Sequence, residues 1–298
     1  MSAATVIRSW RPDAQGEAVG LEQRPHAPGS GFVRVADAGR RSTVVRAAAA
    51  SPLRLLTPRN HGRAAWIYTS SYGGGLVGGD HVALDIGVEP GAAAFVSTQA
   101  STKVYRSSVG ATSELTARVG DRGLLVVVPD PVVCFRGSRY RQSQQFDLAR
   151  DAGLVVVDWV TSGRHAAGER WAFDEYSARL SARIDGTLAV YDNLVLTGGP
   201  DDLTARLGRF DVLAVALVLG SPLIPYAAAL VSRVTQRPLE RRSDRLVTAA
   251  ALAPPGLGDV GCIIRLAGRS VEDVGRTIRE YLAFVPDLLE DDPWVRKW

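Results

Sequence analysis

GLLVVV, at residues 123–128, is followed about 30 residues later by GLVVVDW, at residues 153–159. Each copy is a glycine followed by an apolar run rich in β-branched valine, a composition that favours a buried strand. Similar runs follow four further glycines, namely Gly31, Gly62, Gly91 and Gly186. A turn glycine and a β-rich run that return at a regular spacing are typical of stacked β units, in which neighbouring units bury one another's apolar faces.

Runs of strand type also lie between these copies, at Glu114–Val119, Ser138–Leu148 and Tyr176–Ile184. We therefore predict a mainly β fold, with a solenoid-like body of stacked strands of the β-helical type over about residues 30–215. A sandwich of successive hairpins is the alternative arrangement, and ordinary hairpin spacing would also account for a repeat as degenerate as this one.

The C-terminal part, about residues 216–298, is expected to contain about two helices and to complete a single domain. The apolar stretch 211–231 is long enough to cross a membrane, but Gly220, Pro222 and Pro225 interrupt it. It predicts a buried strand at 212–219 and a helix at 222–235 instead. Ser270 begins a capping pattern, and apolar residues at helical spacing predict an amphipathic helix over 270–284.

Composition excludes several classes of protein. The chain has 298 residues, of which 46% are hydrophobic and 22% charged, so it can bury a sizeable core. The net charge of +4 comes almost wholly from arginine; an anionic partner or, as we prefer, arginine-rich codon usage explains it. The sequence contains no compact block of basic residues, so it does not predict a nucleic-acid partner. Two distant cysteines and an N-terminus without an apolar segment predict a cytoplasmic protein.

The stretch YGGGLVGGD, at residues 72–80, contains the spacing G-x-G-x-x-G of a dinucleotide-binding loop. In that fold the glycines open a helix whose N-terminus holds the pyrophosphate. Here apolar residues follow at period two, from Val82 to Val88, and Pro90 comes next. The stretch is therefore interpreted as a glycine-rich connection between strands that binds no nucleotide.

Three carboxylates are the candidate functional groups: Asp80 after the glycines, Asp158 within an apolar run, and Glu169 after Gly168. A buried acid is costly unless it is paired or hydrated. Each of them could cap a turn or pair with an arginine. Alternatively, they could line a polar path that holds a hard or borderline divalent cation weakly. Hydroxyl oxygens could be added to such a path by Ser97, Thr98 and Thr102.

Several motifs together resemble the urease accessory protein UreD family, called UreH in some organisms. The glycine-rich stretch 70–80 is one of them; 98–106 is similar to T-x-A-x-T-K-x-Y-R, and 163–169 to G-R-x-A-x-G-E. The tail 291–298 is similar to the ending of some members. The chain departs from the family pattern at Gln99-Ala100, and Cys134 matches no feature of the family.

The resemblance implies a β-rich scaffold for nickel insertion into apo-urease and not an enzyme. Such a protein joins UreF, reaches the GTPase UreG through UreF, and docks on the urease apoprotein. It implies Ni²⁺ in transit through an internal tunnel, with no tightly bound cofactor. Carried over to this sequence, the tunnel positions are Asp80, Asp158 and Glu169, with Ser97, Thr98 and Thr102 as weaker candidates.

Two functions of other classes were weighed against this one. A carbohydrate-active hydrolase would use Asp158 and Glu169 as an acid pair, whose separation would set the stereochemical outcome. A structural β adhesin would need a secretion signal, which the N-terminal sequence does not predict.

Overall fold

The computed structural model describes residues 27–238 and 242–295. The N-terminal residues on which the expected lack of a secretion signal rests, and residues 296–298 of the tail motif, lie outside the described residues. Within them the chain forms 17 β-strands and four α-helices.

Seven strands form the smaller of two sheets, in the spatial order β14-β13-β11-β8-β5-β1-β2. The five inner strands run parallel, and an antiparallel strand lies at each edge. The strands are β1 (Ser30–Asp37), β2 (Ser42–Ala49), β5 (His81–Val88), β8 (Ala111–Val119), β11 (Arg139–Leu148), β13 (Glu175–Ile184) and β14 (Thr187–Thr197).

Ten strands form the larger sheet, whose main path is β16-β17-β15-β12-β9-β6-β4-β3. Strands β4, β6, β9 and β12 are parallel, and antiparallel strands flank them on both sides. The strands on this path are β3 (Leu53–Leu56), β4 (Ala65–Ser71), β6 (Ala93–Thr98), β9 (Leu124–Val127), β12 (Gly153–Thr161), β15 (Val212–Leu219), β16 (Arg245–Leu252) and β17 (Gly261–Gly268). Two short strands, β7 (Thr102–Val104) and β10 (Val132–Cys134), extend the sheet from the end of β12.

The chain alternates between the sheets: from β4 to β13, each long strand of one sheet is followed by a long strand of the other. The prediction of a mainly β fold is thereby confirmed, and every glycine-led run begins or precedes a strand. The predicted β-helical body is corrected to two mixed, open sheets. Their edges are antiparallel strands, because the chain reverses through hairpins there instead of continuing the parallel pairing.

The main core lies between the sheets. Along β13 buried residues alternate with more exposed ones, which is the period expected of a strand with one face inward. Val33, Ile86, Leu125, Leu154 and Phe146 belong to this core and are essentially inaccessible. A second core lies between the other face of the ten-stranded sheet and the helices.

The four helices are α1 (Pro200–Leu207), α2 (Ile224–Thr235), α3 (Val271–Tyr281) and α4 (Val285–Leu289). The predicted strand at 212–219 and helix at 222–235 are confirmed as β15 and α2. Among the described residues, no helix combines the length and the apolar character needed to cross a membrane.

The prediction of about two helices was too low. Helix α1 was missed because it is short and buries Leu203 but little else, which leaves no apolar period to recognise. Helix α3 starts as predicted, with the Ser270 hydroxyl accepting from Asp273 N at 3.0 Å, but ends at Tyr281. Pro286 then lies in the first turn of α4, where a backbone N–H has no partner within the helix.

Candidate functional site

The sequence motifs meet at one end of the two-sheet body. Each parallel strand of the larger sheet is followed by a connection to the smaller sheet, at 72–80, 99–110, 128–138 and 162–174. Because β4, β6, β9 and β12 are parallel to one another, and so are β5, β8, β11 and β13, these four connections lie at the same end. The return connections at 89–92, 120–123 and 149–152 are short and lie at the other end.

The glycine-rich loop packs against the connection that follows it. Leu76 forms two backbone hydrogen bonds with the 99–110 connection: its N–H donates to Lys103 O at 2.8 Å, and its carbonyl accepts from Tyr105 N at 2.9 Å. A Cβ at Gly75 would lie 2.7 Å from Lys103 O, and one at Gly78 would lie 1.9 Å from Ser107 Oγ. The glycines therefore permit close approach of two chain segments. The predicted strand after the loop is present as β5.

Two cavities lie between the sheets and share Asp158. The first has a volume of about 200 Å³ and is lined by Asp158 and by all three predicted hydroxyl residues, Ser97, Thr98 and Thr102. The second has a volume of about 360 Å³ and lies towards β14 and β16, where Asp192 and Arg265 line it. The structure thus brings four of the six predicted residues together.

Asp158 belongs to a hydrogen-bond network inside the first cavity. Gln142 on the facing sheet donates from Nε2 to Asp158 Oδ1 at 2.7 Å and to the hydroxyl of Tyr176 at 3.3 Å. Tyr140 donates to Gln142 Oε1 at 3.4 Å and lies 2.7 Å from Ser113 Oγ. The Asp158 carboxylate accepts a side-chain hydrogen bond from Gln142 and a backbone hydrogen bond from Trp159, and Asp158 lines both cavities.

Burial raises the pKa of Asp158 to about 6; the charge of Asp192 adds to the rise, and the hydrogen bond from Gln142 opposes it. Burial also raises the pKa values of Tyr140 and Tyr176, so both phenols remain protonated at neutral pH. At pH 7 the network therefore holds one carboxylate, mostly ionised, among neutral donors and acceptors.

Asp130 was missed by the sequence analysis. It lines the first cavity with Asp158, and its backbone N–H donates to the Thr98 hydroxyl at 2.7 Å. A signal was present, because Asp130 follows the run 123–128 much as Asp158 follows 153–157. The same pattern of an acid after a glycine-led strand would have identified both.

Asp80 lies in the glycine-rich loop and lines neither inter-sheet cavity. Its Oδ2 accepts from Val77 N at 2.8 Å, and its own N–H donates to Val77 O at 3.1 Å. The carboxylate thus caps the turn of its own loop, a structural role that the sequence also allows for Asp80.

Glu169 is buried but also lies outside both cavities. Its carboxylate forms a two-point ion pair with Arg164 and accepts from Arg136 N at 3.2 Å. Arg164 holds the pKa of Glu169 below its ordinary value. Glu169 therefore has the arginine partner foreseen as its alternative. Asp158 and Glu169 do not share a cavity, so no observation favours the hydrolase.

The chemistry of the cavity is that of oxygen donors. The described residues contain no group of three or more histidine, cysteine, aspartate or glutamate side chains placed to hold a metal. Asp130, Asp158 and the three hydroxyls supply oxygen ligands, which suit a hard or borderline cation held loosely. Cys134 is buried, and burial raises its pKa to about 12, so it offers no thiolate at neutral pH.

Comparison with known proteins agrees with the sequence motifs. A family model described as UreD urease accessory protein matches residues 28–298. Urease accessory protein UreD of Sorangium cellulosum is 47% identical, over 93% of this chain and 86% of its own length. Urease accessory protein D of Oryza sativa subsp. japonica is 33% identical, over 94% of this chain and 99% of its own. Urease accessory protein D of Arabidopsis thaliana is 32% identical, over 89% of this chain and 99% of its own length. The chain therefore belongs to the UreD family of urease accessory proteins.

Proposed function

We propose that the chain is a non-catalytic scaffold required for nickel insertion into apo-urease. It binds UreF, reaches UreG through UreF, and docks on the urease apoprotein, while Ni²⁺ crosses the space between the two sheets. The buried, unpaired thiols of Cys134 and Cys262 suit a reducing compartment such as the cytoplasm. No tightly bound cofactor is needed for this role.

The observation that supports a path for the cation is the pair of cavities that are both lined by Asp158. An ion that leaves water needs polar groups to replace its hydration shell, and an anionic oxygen offsets most of that cost. Asp158, which lines both cavities, supplies such an oxygen. Thr98 and Asp130 supply further oxygens within the first cavity.

The sparse ligand set also fits passage better than storage. A tight nickel site would use imidazole or thiolate ligands, whereas the residues described as lining the first cavity offer hydroxyl and carboxylate oxygens and no histidine or cysteine. A cation bound to one carboxylate at a time is released readily. This is what a transfer step between two partner proteins requires.

The test removes the charge of Asp158 and keeps its shape. Asp158→Asn leaves an oxygen that can accept from Gln142. The matched control is Asp147→Asn, because Asp147 is exposed on β11 and forms no ion pair with a described residue. Urease co-expressed with UreF, UreG and each variant is purified, and its nickel content and activity are measured.

We expect D158N to lower the nickel content and activity of urease together, while co-elution with UreF and apo-urease stays at the level of wild type. D147N should behave as wild type in all three measurements. Full nickel content in urease matured with D158N would refute the path through Asp158. Absence of co-elution between the wild-type chain and either partner would refute the scaffold role itself.

A further inference from the structure

The outer side of the motif-bearing end carries a layer of aromatic and cationic side chains. In the small extension formed by β7 and β10, Val104 and Cys134 are buried in a third apolar cluster, at this end of the molecule. Side chains alternate along a strand, so Lys103, Tyr105 and Phe135 lie on the outer side. Tyr105 and Phe135 make an edge-to-face contact with ring centroids 5.1 Å apart.

Arg164 completes this layer and is fixed in place. Its guanidinium lies 4.2 Å from the centroid of the Phe135 ring and is paired with the buried carboxylate of Glu169. Glu169 in turn accepts from the backbone N–H of Arg136, which ties the 162–174 connection to the segment just after β10. Glu169 is thus a positioning residue that holds Arg164 over Phe135. About half of the Arg164 side chain remains exposed, at 48%.

Cations predominate on this surface. Lys103, Arg106 and Arg136 are all exposed, and none forms an ion pair with a described residue. Arg106 passes over Gly137, where a Cβ would lie 3.3 Å from its Cγ. Arg106 therefore lies against the segment that follows Phe135 and Arg136 in sequence.

Four acids belong to the connections at 72–80, 99–110, 128–138 and 162–174; Asp130 lines the first cavity, and the other three are already engaged. Asp80 accepts from the Val77 backbone, Glu169 is paired with Arg164, and Asp174 is paired with Arg139. Counted over the described residues, this surface therefore carries an excess of positive charge.

Apolar side chains are exposed next to these cations. Val77 and Val109 are 53% and 79% exposed. The loops that carry them are joined, because Gly79 N donates to Gly110 O at 2.8 Å. Exposed apolar groups beside preorganised arginine and aromatic side chains are the composition of protein–protein interfaces.

We propose that this end of the molecule, called here the cationic layer and comprising Lys103, Tyr105, Arg106, Phe135, Arg136 and Arg164, docks an acidic segment of a partner protein. Carboxylates of the partner would pair with Lys103, Arg106 and Arg136. Apolar side chains of the partner would contact Val77 and Val109. Nucleic acid fits less well, because the free cations form one compact group bordered by apolar residues and not a stripe that follows a phosphate backbone.

The proposal deepens the proposed scaffold function by naming the chemistry of one partner, and its first test does not depend on urease. A fluorescein-labelled oligoglutamate peptide is titrated with the full chain, and fluorescence anisotropy is measured at about 50 mM and about 300 mM salt. The charge-reversal variant is R106E/R136E. The matched control is R150E/R279E, which changes the net charge equally at two exposed arginines outside these connections.

We expect the wild-type chain and R150E/R279E to bind the peptide alike, and R106E/R136E to bind at least ten-fold more weakly. The difference should shrink at the higher salt concentration, where exposed charges are screened. Thermal melts of the three proteins confirm that each is folded. Equal binding by R106E/R136E and the control would overturn the proposal, and so would failure of the wild-type chain to bind.

Two further measurements separate the outcomes. The first is binding of a single-stranded oligonucleotide. If the wild-type chain binds it more tightly than the peptide, and if R106E/R136E no longer binds it, the partner is nucleic acid and the acidic-protein assignment is overturned. Pull-down with apo-urease and with UreF then tests the scaffold. Loss of one partner in R106E/R136E alone identifies the docked protein. If the wild-type chain binds neither partner yet binds the peptide, the scaffold function fails and the cationic layer stands.

Discussion

Replacing Asp158 by asparagine is expected to stabilise the isolated protein at neutral pH, even though it impairs the proposed function. The folded-state pKa of Asp158 is raised to about 6, whereas an aspartate in an unfolded chain has a pKa of about 3.9. Between these values the folded state binds more protons than the unfolded state, so stability falls as pH rises. Above pH 6 the whole penalty is present. Asparagine carries no charge, so D158N does not incur the loss of stability that comes from burying an ionised carboxylate.

The magnitude follows from the two pKa values. They are separated by about two pH units, and each is equivalent to 1.36 kcal/mol, which gives a penalty of about 3 kcal/mol at pH 7. Water lowers this figure, because a cavity of about 200 Å³ has room for several molecules of about 30 Å³ each. We therefore expect D158N to raise the free energy of unfolding by about 1 to 3 kcal/mol at pH 7.

Urea unfolding of wild type, D158N and the exposed control D147N at about pH 4.5, 6 and 7.5 measures the effect. The gain for D158N should be largest at pH 7.5 and should shrink towards pH 4.5, where the folded-state carboxyl is protonated. D147N should stay within about 0.5 kcal/mol of wild type. If D158N gains no more than D147N, or gains equally at all three pH values, the buried-charge reasoning is wrong.

Three further expectations test the surroundings of the site. G78A should lower the melting temperature, because its Cβ would lie 1.9 Å from Ser107 Oγ; the loss should be smaller when the same change is made in S107G, and an equal loss in both backgrounds would contradict the steric argument. E169Q should destabilise the protein at pH 7, because the pKa of Glu169 is lowered in the folded state by its ion pair with Arg164. This ion pair stabilises the fold fully above about pH 4.3, the pKa of an unfolded glutamate, and the stabilisation is lost as the pH falls further. The difference in free energy of unfolding between wild type and E169Q, measured with urea, should therefore be smaller at about pH 4 than at pH 7. Burial raises the pKa of Cys134 to about 12 and that of Cys262 to about 11, so Ellman's reagent at about pH 8 should label both thiols only after denaturation; rapid labelling of the native protein would show that a thiol is accessible.

The secondary structure could be predicted largely from local sequence. A glycine followed by valine-rich residues identified β9 and β12, and the Ser270 capping pattern identified the start of α3. These signals are local, since they depend on backbone propensity and on the partner of a few terminal N–H groups. The arrangement of strands in two open sheets is set by pairing between distant segments, which the repeat alone does not specify.

The candidate site was predictable only in part for the same reason. Ser97, Thr98, Thr102 and Asp158 were identified, but their common cavity depends on how two sheets face each other. Asp80 and Glu169 looked equivalent to Asp158 in sequence. The structure distinguishes them by their partners, the Val77 backbone and the Arg164 side chain, which no spacing rule reveals.

The alternation of the chain between two sheets bears on folding during synthesis. In the parallel part of each sheet a new strand pairs with the strand made about 30 residues earlier, so both sheets can grow at one edge as the ribosome extends the chain. Each addition closes a loop of similar, moderate length. One contact must wait until the end: Arg63 N donates to Leu289 O at 2.9 Å, and a Cβ at Gly62 would lie 2.3 Å from Glu290 O. The connection before β4 is therefore fixed by residues that emerge almost last, and a nascent chain stalled before Leu289 would leave that connection open to proteases.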